Sequence, residues 1–189
     1  MLTCAQLSKN VALGSCAQRT AQVSGRVIAI NFDDWQAATI TEASGIISAI
    51  TLPSGKYGYA LTSKDKGIEA SYSMNKGTYG NSWIHQLLLR VFDRTQDNKD
   101  TMDKLADGRF VFIVEHLDKA NYQTVYEVYG RDNGLTASAA EGSSTDADGQ
   151  FGNMTMASEE GAYEGALPTS IFNTDLATTK AAIEALIAS

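Results

Sequence analysis

The chain has 189 residues, of which 43% are hydrophobic and 20% charged, and its formal net charge is -7. This composition is typical of a folded globular protein and excludes an intrinsically disordered chain. The acidic balance argues against tight binding of DNA or RNA, which needs clustered lysine and arginine. Because the longest apolar run is residues 110–114 and residues 1–21 lack a basic start and an apolar block, we expect no membrane span and no secretory signal.

Charge is unevenly distributed along the chain. Residues 1–30 carry three basic side chains, Lys9, Arg19 and Arg26, and no acidic one. Residues 136–189 carry eight acidic side chains against Lys180 as the single basic one. We therefore expect opposite electrostatic potentials at the two ends of the sequence, which would fix the register of a head-to-tail contact between copies.

Cysteine and histidine are too few to indicate a disulfide framework or a metal centre. Cys4 and Cys16 are the two cysteines, and without a secretory signal we expect them to be free thiols. A zinc site would have to recruit both His85 and His116 from distant predicted strands. We therefore predict neither a metal nor a cofactor.

The first third of the chain predicts a polar arm followed by three strands. Residues 1–23 are small and polar, with Leu7 and Val11 spaced for one short helix. The turn chemistry of Pro-Ser-Gly at residues 53–55 predicts a hairpin between the strands on either side of it. The predicted strands are residues 25–32, 45–52 and 56–62.

Residues 68–92 predict an extended β-hairpin. Apolar side chains alternate with polar ones through residues 68–75, and residues 83–92 place apolar side chains on both faces. Residues 75–81 contain asparagine and glycine, which tolerate the positive φ of a hairpin turn. At ~3.3 Å per residue each arm would reach ~35 to 40 Å, which is longer than a typical strand. Such a hairpin needs cover from another element or another subunit, so we predict self-association through it.

The predicted self-association surface has two parts. The hairpin is expected to pair with strands of neighbouring copies, and residues 75–81 are expected to reach an adjacent subunit. The basic N-terminal segment is expected to contact the acidic final third of the next copy in a head-to-tail stack. The residues assigned to this surface are Met74, Lys76, Tyr79, Trp83 and Leu87 in the hairpin, and Lys9 and Arg19 in the arm.

The remainder of the chain predicts two helices and further strands. Residues 95–107 have apolar positions at helical spacing and charge pairs between them, and Gly108 is placed to end this surface helix in the left-handed conformation. Residues 174–188 predict a C-terminal helix, which Asn173 or Thr174 can cap. Further strands are predicted at residues 109–117, 123–130, 135–140 and 151–158.

These elements describe one domain spanning residues 1–189. A chain of this length can bury one substantial core, and residues 24–167 supply its β elements. We predict a mainly β fold, an antiparallel β-sandwich or partly closed barrel of seven to nine strands, with one flanking surface helix and a C-terminal helix.

The motifs that bear on chemistry are incomplete. Residues 144–149 resemble the first half of a calcium loop, but Thr155 stands where a bidentate glutamate is needed. Glu115 and Glu127 offer carboxylates for glycoside cleavage, but the sequence does not fix their separation. No nucleophile-elbow pattern accompanies the histidines. We therefore predict that the protein is not an enzyme.

Two regions of the sequence resemble one known family. The first runs from Cys4 through Cys16 to Val-Ile-Ala-Ile-Asn-Phe-Asp-Asp at residues 27–34. The second comprises Glu-Val-Tyr-Gly-Arg-Asp-Asn-Gly-Leu at residues 127–135, Asp-Ala-Asp-Gly at 146–149, residues 155–160 and Leu-Pro at 167–168. Together they resemble structural proteins of tailed bacteriophages and prophages from Bacteroides-type bacteria, and most closely the tail tube proteins.

The resemblance implies a β-sandwich or partly closed barrel whose copies form a ring, usually of six, and whose rings stack into a tube with a lumen for DNA. Such a protein is assembled in the bacterial host cytoplasm and resides in the virion tail. Its partners would be itself, other phage tail proteins, and DNA that passes without being held tightly. Other phage structural roles, such as a head-completion, ring or capsid-decorating protein, also fit these residues.

A second class of function fits the aromatic residues around the hairpin. Trp83, Tyr79 and Tyr57 would line the groove of a monomeric carbohydrate-binding or ligand-binding β-sandwich. The mass of the particle in solution separates this class from a self-assembling one.

Overall fold

A computed structural model describes residues 23–63, 67–78, 80–117, 122–142 and 152–187 of the chain. Most of the predicted arm, residues 1–22, lies outside the described residues, and so do Lys9, Arg19, Cys4 and Cys16. Tyr79 and the calcium-loop-like residues 144–149 also lie outside them.

Within the described residues the chain forms eleven strands and three α-helices, which confirms the mainly β fold class. The predicted number of seven to nine strands is too low, because short strands such as β2 and β11 have no sequence pattern of their own. The helices are α1 (Phe32–Gln36), α2 (Gln96–Asp107) and α3 (Leu176–Glu184), and a 3₁₀ turn spans Tyr122–Thr124. The strands are β1 (Val23–Asn31), β2 (Thr39–Ala43), β3 (Ile46–Thr51), β4 (Tyr59–Thr62), β5 (Ile68–Lys76), β6 (Asn81–Val91), β7 (Arg109–His116), β8 (Tyr126–Tyr129), β9 (Leu135–Gly142), β10 (Gly152–Ala157) and β11 (Thr169–Ile171).

The strands form two packed layers that share a junction at β7. In the first layer the strands are ordered β2, β3, β11, β8, β7, β1 and β4, and in the second β9, β10, β6 and β5. β9 pairs with the first two residues of β7, Arg109 and Phe110, and so carries the hydrogen-bonded path from one layer into the other. The path of described strands does not close on itself, and its pairs are antiparallel except for β3 with β11. The architecture is sandwich-like, with open edges.

Both faces of the first layer are buried, which explains the nearly continuous apolar runs of β1 and β7. One face packs against the second layer and the other packs against α1 and α3. The core between the layers includes Val27, Phe112, Leu87 and Met156, whereas the core beneath the helices includes Ile28, Ile113, Trp35 and Ile183.

Two features of the observed elements differ from the prediction. The short elements α1, β2 and β11 are not predicted by the sequence patterns. The predicted hairpin at residues 45–62 is wrong, because β3 pairs with β2 and β11 while β4 pairs with β1. The turn itself forms, since the Lys56 amide donates to the Pro53 carbonyl over 3.0 Å and Gly55 has a φ of +77°. Turn chemistry fixes the bend but not the partner of the strand that follows.

The surface helix α2 begins as predicted and ends differently. The Thr95 side chain accepts a hydrogen bond of 3.3 Å from the Asn98 amide, which caps the first turn. Gly108 is extended, with a φ of -103°, so the predicted left-handed ending is wrong. A Cβ atom at this position would lie 2.4 Å from the outer edge of the Phe110 ring, so a larger residue requires that ring to shift.

The C-terminal helix α3 is capped one residue later than predicted. The Asp175 carboxylate accepts a hydrogen bond of 2.7 Å from the Thr178 amide, so neither Asn173 nor Thr174 is the cap. Ile183 faces the first layer and is 2% exposed. α3 therefore covers the sheet face opposite the second layer.

Candidate self-assembly surface

The predicted long hairpin is present as β5 and β6. The two strands pair in antiparallel register along the whole of β5, from Ile68 opposite Leu89 to Lys76 opposite Asn81. The connection is closed by a hydrogen bond of 2.9 Å from the Gly77 amide to the Gly80 carbonyl. The hairpin is thus a regular ribbon that supplies the edge of the second layer.

One face of this hairpin passes from the protein core to solvent along its length. At the base, Ile68 is 3% exposed, and Leu87 on the same face of the paired strand β6 is 0% exposed. Toward the tip on the same face, Tyr72 is 51% exposed and Met74 is 54% exposed. The alternation of side chains continues beyond the point where the first layer covers it.

Three side chains at the tip form what we call the hairpin patch, namely Tyr72, Met74 and Trp83. Met74 lies directly opposite Trp83 in the strand register. The rings of Tyr72 and Trp83 meet edge to face, with centroids 6.0 Å apart and planes at 77°. The Trp83 backbone exchanges two hydrogen bonds with Glu164, of 2.8 and 2.9 Å. The patch is therefore an apolar surface on a strand that backbone hydrogen bonds to Glu164 hold in place.

Among the described strands, the outer edge of β5 is open. Its ladder partner is β6, and no other described strand pairs with it. Natural edge strands are usually protected by charge, proline or a bulge. Residues 70–75 of β5, Ala-Ser-Tyr-Ser-Met-Asn, contain neither a charge nor a proline. This edge offers unpaired backbone groups to a strand of another chain.

His85 supports the hairpin at the boundary between base and tip. Its side chain is buried, and its Nδ1 atom accepts a hydrogen bond of 3.2 Å from the Gly130 amide. Its Nε2 atom lies 3.1 Å from the Ala166 carbonyl, to which the neutral ring donates. Burial lowers the pKa of His85, because the charged imidazolium loses solvation. Both ring nitrogens thus have structural partners, and His85 joins β6 to the turn after β8.

Glu164 makes a second buried connection to the same turn. The carboxylate is 1% exposed and accepts hydrogen bonds from the amides of Asp132, at 2.7 Å, and Asn133, at 3.1 Å. Burial raises the pKa of Glu164, while the two amide hydrogen bonds act in the opposite direction. Since the Glu164 backbone also pairs with Trp83, this residue ties the hairpin patch to the body of the domain.

The structure brings together some of the predicted interface residues and separates others. Met74, Lys76 and Trp83 lie at the hairpin tip. Leu87 is fully buried between the layers, so it belongs to the core and not to a surface. Tyr72 was missed by sequence reasoning, although its position two residues before Met74 places it on the same face. Tyr79, Lys9 and Arg19 lie outside the described residues.

The carboxylates considered for glycoside cleavage do not face each other. In the pairing of β7 with β8, Val114 lies opposite Glu127 and Glu115 lies opposite Tyr126. Successive residues of a strand point to opposite faces, so Glu115 and Glu127 lie on opposite sides of the layer. Glu127 is 3.1 Å from the His116 ring, and Glu115 accepts a hydrogen bond from Tyr126. Both carboxylates therefore have partners within the fold that account for their positions.

An open groove of about 570 Å³ lies between β4, the base of the hairpin and α2, and we call it the α2 groove. Its lining does not include Trp83 or Tyr57, two of the three aromatic residues proposed for a ligand-binding groove, and the third, Tyr79, lies outside the described residues. The apolar side chains that line it include Leu61, Ile68, Met102, Leu105 and Met154.

Across the described ranges, no group of three or more histidine, cysteine, aspartate or glutamate side chains is arranged to hold a metal ion. No helix in the described part of the chain is long and apolar enough to span a membrane. Comparison of the chain with known protein families, curated proteins and solved structures found no match.

Proposed function

We propose that the chain is a virion structural protein that self-assembles into stacked rings, and that these rings form the tail tube of a tailed bacteriophage. The resemblance carried by residues 27–34 and 127–135 supports the family. The ring would be hexameric, and its lumen would conduct DNA. The sandwich-like fold with flanking helices is compatible with this role.

The observation that carries the proposal is the exposed tip of the β5–β6 hairpin. Tyr72 and Met74 are both more than half exposed although they continue the core face of β5. The outer edge of β5 lacks a partner among the described strands, and residues 70–75 carry no charge. An apolar face next to an open strand edge is a surface for pairing with another chain.

The energy available from one such contact is small. Fully burying a large apolar side chain contributes about 1.5 to 3 kcal/mol, so covering the exposed half of Tyr72 and of Met74 contributes roughly 1 kcal/mol each. Association itself costs about 4 to 15 kcal/mol in lost translational and rotational freedom. Backbone pairing along β5 and repetition of the contact around a ring are therefore needed for a stable assembly.

The charge distribution is consistent with the inner wall of a tube that conducts DNA without binding it tightly. The net charge of -7 opposes tight binding of phosphates. Several of the described basic side chains are also neutralised by carboxylates. These pairs are Arg26 with Glu184, Lys56 with Asp34, Arg90 with Glu69, Arg109 with Glu159 and Arg131 with Glu42.

Electron microscopy of the purified full-length protein, combined with its mass in solution, tests the proposal. We expect rings or stacked tubes at high protein concentration. Closed single rings that never stack would favour a head-completion or ring protein instead. A particle that stays strictly monomeric at high concentration contradicts self-assembly and favours the monomeric ligand-binding class.

A further inference from the structure

We propose that the α2 groove of one copy receives the hairpin patch of the next copy. The proposal rests on the self-association proposed above and names the two surfaces that meet. The hairpin patch consists of Tyr72, Met74 and Trp83. The α2 groove is the space between β4, the base of the hairpin and α2.

The groove has the chemistry to accept apolar side chains. Met102 and Leu105 of α2 line one side of it, and Leu61 of β4 lines another. Met154 of β10 also contributes to the lining. Thioether side chains adapt to irregular shapes and contact aromatic rings favourably, which suits Met74 together with two aromatic residues. Asn98 and Thr101 add polar groups to the lining. Their side chains donate to the Asp93 and Asp97 carbonyls, and their side-chain oxygens remain acceptors for the amides of an incoming strand.

Charge complementarity favours the same pairing. Between residues 70 and 83 the hairpin carries Lys76 as its one charged residue. α2 carries four aspartates, at positions 97, 100, 103 and 107, against two lysines, at 99 and 104. Arg90 and Asp93, the charged residues of the groove lining, offset each other. The excess charge beside the groove is therefore the acidic charge of α2, which orients the approach of the basic tip.

The α2 groove lies at the base of the β5–β6 hairpin and the hairpin patch lies at its tip. The patch can therefore enter only the groove of a different copy. Ile68 and Leu89 line the groove at the base of the hairpin, whereas Met74 and Trp83 lie six residues further along the strands. At ~3.3 Å per residue this separation is about 20 Å, and a paired strand cannot fold back across it. A patch that enters the groove of the next copy makes a heterologous contact, which generates rings or open filaments.

Cross-linking between copies tests the proposal directly. In full-length protein carrying Cys4→Ser and Cys16→Ser, one sample receives Met74→Cys and a second receives Thr101→Cys. The two samples are mixed and treated with a short thiol-specific cross-linker. The control replaces Met74→Cys by Ser73→Cys, since Ser73 is exposed on the opposite face of β5. We expect a cross-linked dimer from the Met74→Cys mixture and loss of that product in the Ser73→Cys mixture.

The possible results separate this proposal from the proposed function. If assemblies form but the Met74→Cys mixture yields no more dimer than the control, the hairpin patch does not enter the α2 groove, although self-association stands. If the protein remains monomeric, both proposals are overturned. As an independent check, Thr101→Trp should fill the groove and abolish assembly while leaving the thermal unfolding curve unchanged, and retained assembly with that variant contradicts the proposal.

Discussion

The base and the tip of the β5–β6 hairpin have the same sequence pattern and opposite environments. At the base, Ile68 and Leu87 are enclosed between the two layers of the sandwich. At the tip, Tyr72 and Met74 continue the same face of the same strand and are more than half exposed. The first layer covers one half of the ribbon and leaves the other half open.

This contrast shows what side-chain alternation specifies and what it does not. A period of two determines which residues share a face. Whether that face is covered depends on how far the opposing layer extends, which is a property of the whole fold. The same pattern therefore contributes to folding at the base and, in our proposal, to assembly at the tip.

The largest expected difference between the two halves is in stability. Leu87→Ala should lower the free energy of unfolding by about 2 to 5 kcal/mol, because it leaves a cavity between the layers. Met74→Ala should change it by no more than about 0.5 kcal/mol, because Met74 is largely in solvent. Urea unfolding at a protein concentration too low for assembly measures both values. Equal losses for the two variants would contradict the distinction between base and tip.

A smaller effect is expected where Glu164 connects the tip to the domain. Glu164→Gln keeps the shape of the side chain but turns one acceptor oxygen into an amide donor, so one of the Asp132 and Asn133 amides loses its partner. The expected loss of stability is about 1 to 3 kcal/mol. Glu160→Gln is the matched control, since Glu160 is exposed, and it should stay within about 0.5 kcal/mol of the wild type. Similar values for both variants would mean that the buried connection is not important for stability.

The smallest expected effect is a pH dependence of the free energy of unfolding that arises from His85. This residue lies opposite Tyr72, between the base and the tip of the hairpin. Burial lowers the pKa of His85, whereas the unfolded chain has the ordinary value near 6.5. Below that pH the unfolded state binds a proton that the folded state does not. The free energy of unfolding contributed by His85 therefore falls with falling pH, by at most about 1.4 kcal/mol per pH unit.

Glu164 contributes with the opposite sign, so the two groups must be measured separately. Its raised pKa means that the folded state binds a proton more readily than the unfolded state as the pH falls through that pKa, which increases stability. Unfolding of the wild type and of His85→Gln should be compared between about pH 7 and pH 5.5. The wild type should lose more stability over this interval. Parallel curves would show that His85 does not contribute to the pH dependence.

Much of the fold was predictable from local patterns, because they are strong in the long elements. The apolar runs of β1 and β7, the alternation in β5 and the helical spacing of α2 all act within one segment. β2 and β11 are short, and β11 is held by β3 and β8, which come from other parts of the chain. No local pattern indicates such a strand.

The candidate surface was only partly predictable for the same reason. Met74 and Trp83 were found because a long hairpin with apolar faces indicates a need for cover. Leu87 shares their face in the sequence pattern but is covered by the first layer. The supports from His85 and Glu164 depend on the turn after β8, which approaches the hairpin only in the folded domain.

A pair of charge substitutions on β5 tests whether the exposed tip of the hairpin joins one copy to another. Met74→Glu places a carboxylate in the hairpin patch, whereas Ser73→Glu places one on the opposite, exposed face of the same strand. Light scattering at increasing protein concentration gives the mass of each variant. We expect Ser73→Glu to assemble like the wild type and Met74→Glu to remain monomeric with an unchanged unfolding curve. Assembly of Met74→Glu to the same mass as Ser73→Glu would contradict this expectation.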